Sequence, residues 1–145
     1  MSRELGGDLP DDLYDALRSG GAGTASGTAI VVLTVDADGW AHPALLSFNE
    51  VAARDRGTIR ITTYAESRTT GNMRANGKVT LIFVDDRMTY YVKGAATEVP
   101  SGPDARPANV VTMDVKIRTV LSDSAGPDEG GAAITSGITF DNRAL

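Results

Sequence analysis

Ser67, Arg68, Thr69 and Thr70 stand together between two strand-like runs, TIRITTY and KVTLIFV. A guanidinium, three hydroxyls and the unpaired amides of a helix start form a donor set suited to a phosphate. Ser67 is a good N-cap, because its hydroxyl can accept from the free amides of the next turn. Asn76-Gly77 supplies a left-handed stop, so the helix between them is short. On residue chemistry alone two roles stay open for this stretch: an anion site, or an ordinary cap with a solvated arginine beside it.

Other chemistry is poorly supported. His42 is the only histidine, which excludes a catalytic triad, a His-rich zinc site or a histidine pair within one subunit. Cysteine is absent, and with it any disulfide framework, thiolate nucleophile or Cys-ligated metal. The run from Gly71 to Val79 has five residues between its glycines and no Ser or Thr after Lys78. It also lies within and after a helix, so it is not a phosphate loop. Asp36, Asp38, Asp85 and Asp86 sit in tight turns, where Asp bonds its own backbone. Tyr91 and Lys93 share a strand face that their stems can cover, and Trp40 and Tyr64 stand at strand ends as rim packing or as surfaces for a flat ring. No residue is nominated as a general acid, base or nucleophile, and no metal set is found.

The elements that must position the donors read as mainly β. Residues 8–18 form a short helix with Leu9, Leu13 and Leu17 at i, i+4 spacing and Pro10 near its start. The Gly-rich stretch 19–27 follows a helix and opens a strand, the wrong context for a dinucleotide loop. Strands are expected at 28–35 and 40–48, joined as a hairpin by the turn 36–39. Residues 49–57 read as a polar connection, and a third strand, 58–64, places Thr63 on the face of Ile59 and Ile61, pointing inward or toward a rim. Further strands fall at 78–84, at 88–99 and around Val111, Met113, Val115 and Ile117, with loops at 100–107 and 122–131 and a last strand at 132–140.

Several short strands and only two short helices point to an antiparallel barrel of Greek-key type rather than a βαβ sheet. Residues 30–33, 44–46 and 81–84 are apolar on both faces, more than one small barrel hides, so a homodimer is expected.

At 145 residues, 41% hydrophobic and 23% charged, the chain suits one domain. The expected division is a helix and linker over 1–27, a barrel core over 28–122, and a loop and strand over 123–145. A net charge of −5 and a pI near 4.7 argue against nucleic-acid partners and anionic membranes. The N-terminal stretch lacks an apolar signal core and no run reaches the length of a membrane span, so the cytoplasm is the expected location.

Ile61-Thr62-Thr63-Tyr64, then Ser67-Arg68-Thr69, Asn72-Met73 and Asn76-Gly77, lead into the strand at 79–84. Asp38-Gly39-Trp40-Ala41-His42-Pro43-Ala44-Leu45-Leu46 lies upstream and Tyr91-Val92-Lys93-Gly94-Ala95-Ala96 downstream. In order and spacing this resembles the pyridoxamine 5'-phosphate oxidase-like family of FMN-binding split β-barrels, over roughly residues 28–121. The resemblance implies an FMN phosphate held by Ser67, Arg68 and Thr69 with Thr63 in support, and a ring lying against the backbone of Leu45, Leu46 and Ser47. It implies a homodimeric flavin-dependent oxidoreductase with a nicotinamide donor and a small substrate, with no residue acting as catalyst. Related barrels use the deazaflavin F420, which is the alternative cofactor, and a non-catalytic flavin-binding sensor is the alternative role.

Two departures bear on that implication. Thr69 stands where the oxidases proper carry a lysine, and Ala44 to Asn49 lacks the arginine and lysine that they aim at the phosphate. A phosphate monoester carries about −1.5 to −2 charge, so its capture is weakened and oxidation of pyridoxamine phosphate is not expected.

Overall fold

The computed structural model describes residues 1–100 and 107–141. The elements in chain order are β1 (Ser2–Gly6), α1 (Asp11–Arg18), β2 (Ala29–Val35), β3 (Ala41–Ser47), β4 (Val51–Asp55), β5 (Thr58–Tyr64), α2 (Arg68–Asn76), β6 (Lys78–Val84), β7 (Thr89–Val99) and β8 (Val110–Asp123). The strands form one antiparallel sheet in the order β3-β2-β6-β7-β8-β5-β4, with β1 added to β8. It curls strongly into a half-barrel with α1 and α2 as its two short helices.

Alternation explains most of the strands. In β5, Ile59, Ile61 and Thr63 are buried while Tyr64 is exposed, and in β8 Met113, Val115, Ile117 and Val120 are buried. The core they share takes in Ile30, Val32, Leu81, Phe83 and Val92 from the sheet and Leu9, Leu13, Ala16 and Leu17 from α1 and its approach. At the β7–β8 contact the register slips between Lys93 and Gly94. A Cβ on Gly94 would lie 2.5 Å from the Lys116 carbonyl oxygen, so this bulge requires glycine.

Four expectations need correction. The first helix begins at Asp11, not residue 8, because Pro10 is its extended N-cap and the Leu9 amide bonds the Arg56 carbonyl. The stretch 49–57 contains β4, an edge strand whose pairing with β5 runs from Val51↔Ile61 to Asp55↔Thr58. Only Val51 there is buried, and the exposed edge carries charge, which hides a strand from periodicity. No strand was expected at β1, whose five residues are all exposed and which is held by its pairing with β8.

The strand expected over 132–140 is instead an irregular segment with one bridge, Thr28↔Thr139. β2 is already paired on both edges, with β3 and with β6, so it offers nothing beyond its N-terminal end. There the Ala29 amide donates to Ile138 and the Phe140 amide to Gly27. Residues 136–138 cross over Val31, Ile82 and Val84, so part of the surplus apolar surface is covered by the chain itself. Gly137 passes so close that a Cβ would clash with the Val84 carbonyl. Most of the expected loop at 100–107 and the last four residues of the tail lie outside the described residues. Among the described residues no helix is long and apolar enough to cross a membrane.

Candidate functional site

The start of α2 is built from the end of β5. Ser67 is extended at the N-cap and its hydroxyl accepts from the Thr70 amide at 3.1 Å. The first backbone bond of the helix runs from Gly71 to the Ser67 carbonyl at 3.1 Å, which leaves the amides of Arg68 and Thr69 without a helical acceptor. The far end is fixed as well. Gly77 takes a left-handed φ of 71°, its amide donates to Met73, and its carbonyl accepts from Ala96 in β7 at 2.7 Å. The side chains of Asn72 and Asn76 bond Thr34 and the Val35 carbonyl in β2.

Beneath the helix start lies a knot of hydroxyls. The fully buried Thr70 donates to the Tyr64 carbonyl at 2.6 Å, so in its 2.7 Å contact with Thr63 it is Thr63 that donates. Ser67 lies 3.0 Å from the same Thr70 oxygen and 2.9 Å from the Tyr64 carbonyl.

A cleft of about 350 Å³ opens beside this knot. Thr63, Ser67 and Thr69 form one side of it, while Leu45 and Leu46 of β3 join Val110 in an apolar wall. Five of the seven residues singled out in the sequence thus meet in one cleft. The other two do not line it. Arg68 is exposed on the first turn, next in sequence to the lining residues Ser67 and Thr69. Ser47 lines a second cavity, and its amide donates to Glu50 Oε2 at 2.6 Å.

Glu50 is the residue that sequence reasoning missed. The Ser47 carbonyl accepts from the Glu50 amide at 3.1 Å, closing a tight turn from β3 into β4, and this turn sets the Glu50 side chain between the two cavities, both of which it lines. The signal available was a four-residue turn, Ser47-Phe48-Asn49-Glu50, embedded in what reads as a charged connection and joining strands that do not pair with each other.

The remaining candidates take structural places. His42 is half-buried in β3 opposite Thr34, and Trp40 and Tyr64 are exposed. Tyr91 donates its hydroxyl to Asp123, and Lys93 is exposed. Asp36 accepts from the amides of Asp38 and Trp40, and Asp85 from those of Arg87 and Met88, the turn chemistry expected of them. Among the described residues no three His, Asp or Glu side chains gather as a metal set.

Residues 23–130 match the pyridoxamine 5'-phosphate oxidase family. The chain belongs to that family. Protein YclD of Bacillus subtilis (strain 168) is 31% identical over 97 residues, a match that covers 67% of this chain and 63% of YclD. This pyridoxamine 5'-phosphate oxidase family member therefore spans less than two thirds of that relative's length. Among solved structures, a candidate pyridoxamine 5'-phosphate oxidase from Lactobacillus delbrueckii superposes with a TM-score of 0.65 at 15% identity, covering 81% of this chain and 98% of its own. An F420 reductase superposes with a TM-score of 0.57 at 20% identity, covering 77% and 98%. At these identities the structural likeness carries the fold alone.

Proposed function

We propose that the protein binds a flavin-type cofactor, FMN in the first reading, with the phosphate at the start of α2 and the ring along the β3 wall. The observation that supports this best is the meeting of Thr63, Ser67 and Thr69 with Leu45 and Leu46 in one cleft. The donor set fits a phosphate: two amides without helical acceptors, the hydroxyl-bearing first turn, and the exposed Arg68 guanidinium on that same turn. Leu45, Leu46 and Val110 offer apolar surface to a ring. The flavin supplies hydride or electron transfer, and the chain's residues position it, exclude water from one face and set its polarity. The protein is then a flavin-dependent oxidoreductase of the cytoplasm, served by a nicotinamide donor and a small substrate, or a non-catalytic flavin carrier.

The reading includes a second copy of the chain as partner. Leu45 remains 48% exposed beside the cleft, so a ring lying there is open on one side until another surface covers it.

A second reading has a specific observation in its favour. The lining contains one carboxylate, Glu50, and no cation, with a single arginine outside it. At the phosphate itself that balance suits a singly charged phosphodiester, the linkage in F420, better than a monoester of about −1.5 to −2 charge.

Thermal unfolding with FMN, with F420 and with neither tests both readings. A ligand present at 100 times its dissociation constant stabilises by about 2.7 kcal/mol. The expected outcome is a shift with one of the two that Arg68→Ala abolishes. No shift with either at millimolar concentration overturns the cofactor proposal.

A further inference from the structure

On the other side of Glu50 lies a larger cavity of about 490 Å³, between the Gly-rich segment after α1 and the turn that ends β3. One wall is the ring of Phe48, 9% exposed, against which the chain at Gly21 packs so closely that a Cβ would come within 3.1 Å of the ring. Gly21 holds φ at 101°, so both the conformation and the contact select glycine there. Phe140 adds a second aromatic ring from the C-terminal segment.

Unlike the helix-start cleft, this cavity has no helix N-terminus on its wall. Its lining includes the carboxylates Glu50 and Asp141 and no lysine, arginine or histidine. Thr24 donates its single hydroxyl proton to the Gly21 carbonyl at 2.6 Å, and Thr28 donates its own to the Ala25 carbonyl at 2.6 Å. Each hydroxyl therefore has only lone pairs left to offer. Glu50 accepts the Ser47 amide on one oxygen, and a carboxylate oxygen has further acceptor capacity. The Arg87 guanidinium is engaged from outside by the Gly23 carbonyl at 2.9 Å. Within the lining, the Glu50 carboxylate, the acceptor-only hydroxyls of Thr24 and Thr28 and the two rings match a donor-bearing cation with an apolar body.

We propose that this cavity binds a small organic ammonium ion, with Glu50 as its counter-charge and Phe48 and Phe140 against its apolar part. Because Glu50 lines both cavities, a molecule held here sits next to the β3 end of the cofactor cleft. Its role as the substrate position rests on the cofactor reading above, whereas the binding of the cation does not.

The test uses a charge-reversed pair, phenethylammonium and phenylacetate, titrated into the cofactor-free full chain while the ring signals of Phe48 and Phe140 are followed by NMR. The ammonium is expected to saturate and the carboxylate not to bind. Glu50→Gln retains an acceptor for the Ser47 amide, so it should unfold at the parent's temperature yet bind the ammonium at least tenfold more weakly. Equal binding of the two probes, no ammonium binding at millimolar concentration, or unchanged affinity in Glu50→Gln overturns the proposal. Parallel titrations with FMN and F420 separate the two readings. Ammonium binding with neither FMN nor F420 bound leaves this site standing and removes the cofactor, and binding of either cofactor without ammonium binding does the reverse.

Discussion

The hydroxyls of Thr63 and Thr70 lie 2.7 Å apart and buried, joining the end of β5 to the first turn of α2 from below. This contact sets where the cleft's floor meets the helix, because Thr70 also holds the Tyr64 carbonyl and receives Ser67. The first turn of α2 is thus positioned by a layer of hydroxyls, of which Thr63 and Ser67 also line the cleft while Thr70 lies behind them.

Thr70→Val should cost about 1–3 kcal/mol, since it leaves the Thr63 hydroxyl without its buried partner and takes from the Tyr64 carbonyl one of its donors, the Ser67 amide remaining. Adding Thr63→Val should cost less than the sum of the two single changes, because the second removes a group already orphaned by the first. Urea unfolding of both single variants and the double measures the coupling, and strict additivity would mean that the hydroxyls do not act as a unit.

Ser67 allows the cap and the anion site to be separated. Ser67→Ala removes the acceptor of the Thr70 amide and should destabilise by about 1 kcal/mol. Ser67→Asp restores a good cap while placing a negative charge where the phosphate is proposed to bind. Its unfolding temperature should match or exceed the parent's while its FMN affinity falls at least tenfold. If FMN affinity in Ser67→Asp equalled that of the parent, the phosphate would have to sit elsewhere.

Two glycines predict opposite outcomes for the same substitution. At Gly94 a Cβ would meet the Lys116 carbonyl oxygen at 2.5 Å and Val115 Cγ1 at 2.7 Å, so Gly94→Ala should destabilise by about 1–3 kcal/mol through the shift it forces on β8. At Gly71, inside α2, a Cβ meets nothing within 4 Å, so Gly71→Ala should stabilise by about 0.5–1 kcal/mol. Melting curves of the pair give the two signs directly.

Tyr90 gives an alkaline signature. Burial, reinforced by a hydrogen bond to Asp12, pushes its phenol up to about 12. A proton acid whose affinity rises on folding contributes stability that is complete below the unfolded value near 10 and is lost as the pH climbs toward about 12. Stability should therefore fall between those limits by on the order of 1 kcal/mol more in the parent than in Tyr90→Phe, allowing for solvent near the ring's hydroxyl. Denaturant midpoints at several alkaline pH values for the two proteins would show it.

Strands with one wet face were legible because burial writes itself as alternation: β2, β5, β6 and the middle of β8 follow the pattern of their apolar residues. The edges were not legible. β1 buries nothing and β4 buries only Val51, so pairing rather than burial defines them, and pairing leaves no periodic mark. The site divided in the same way. Ser67, Thr69 and Thr63 could be placed from cap geometry and strand phase, whereas the exposure of Arg68 depends on the angle at which α2 leaves β5. Glu50 and the second cavity arise where the Gly-rich segment, the β3–β4 turn and the C-terminal segment converge, and no local pattern announces a meeting of three distant stretches.

Arg60 and Asp114 are register partners across β5 and β8, and their contact is bidentate, Nε to Oδ1 at 2.8 Å and Nη2 to Oδ2 at 3.1 Å, with Arg54 adding a third bond at 2.6 Å. The hydrogen bonds from Arg60 hold the Asp114 carboxyl below its usual range, against a smaller opposing effect of burial. A carboxyl depressed by folding contributes stability that is complete above its unfolded value near 3.9 and is lost as the pH falls through its lower folded value. Asp114→Asn should therefore be less stable than the parent at neutral pH and converge with it below about pH 3. Both arginines are substantially exposed, so the difference at pH 7 should not exceed about 1 kcal/mol. It should also shrink in molar salt, where exposed pairs are screened. Urea midpoints of the two proteins at pH 7 and at acid pH, with and without salt, test each part, and a gap that persisted unchanged into acid would assign the loss to packing rather than to the ion pair.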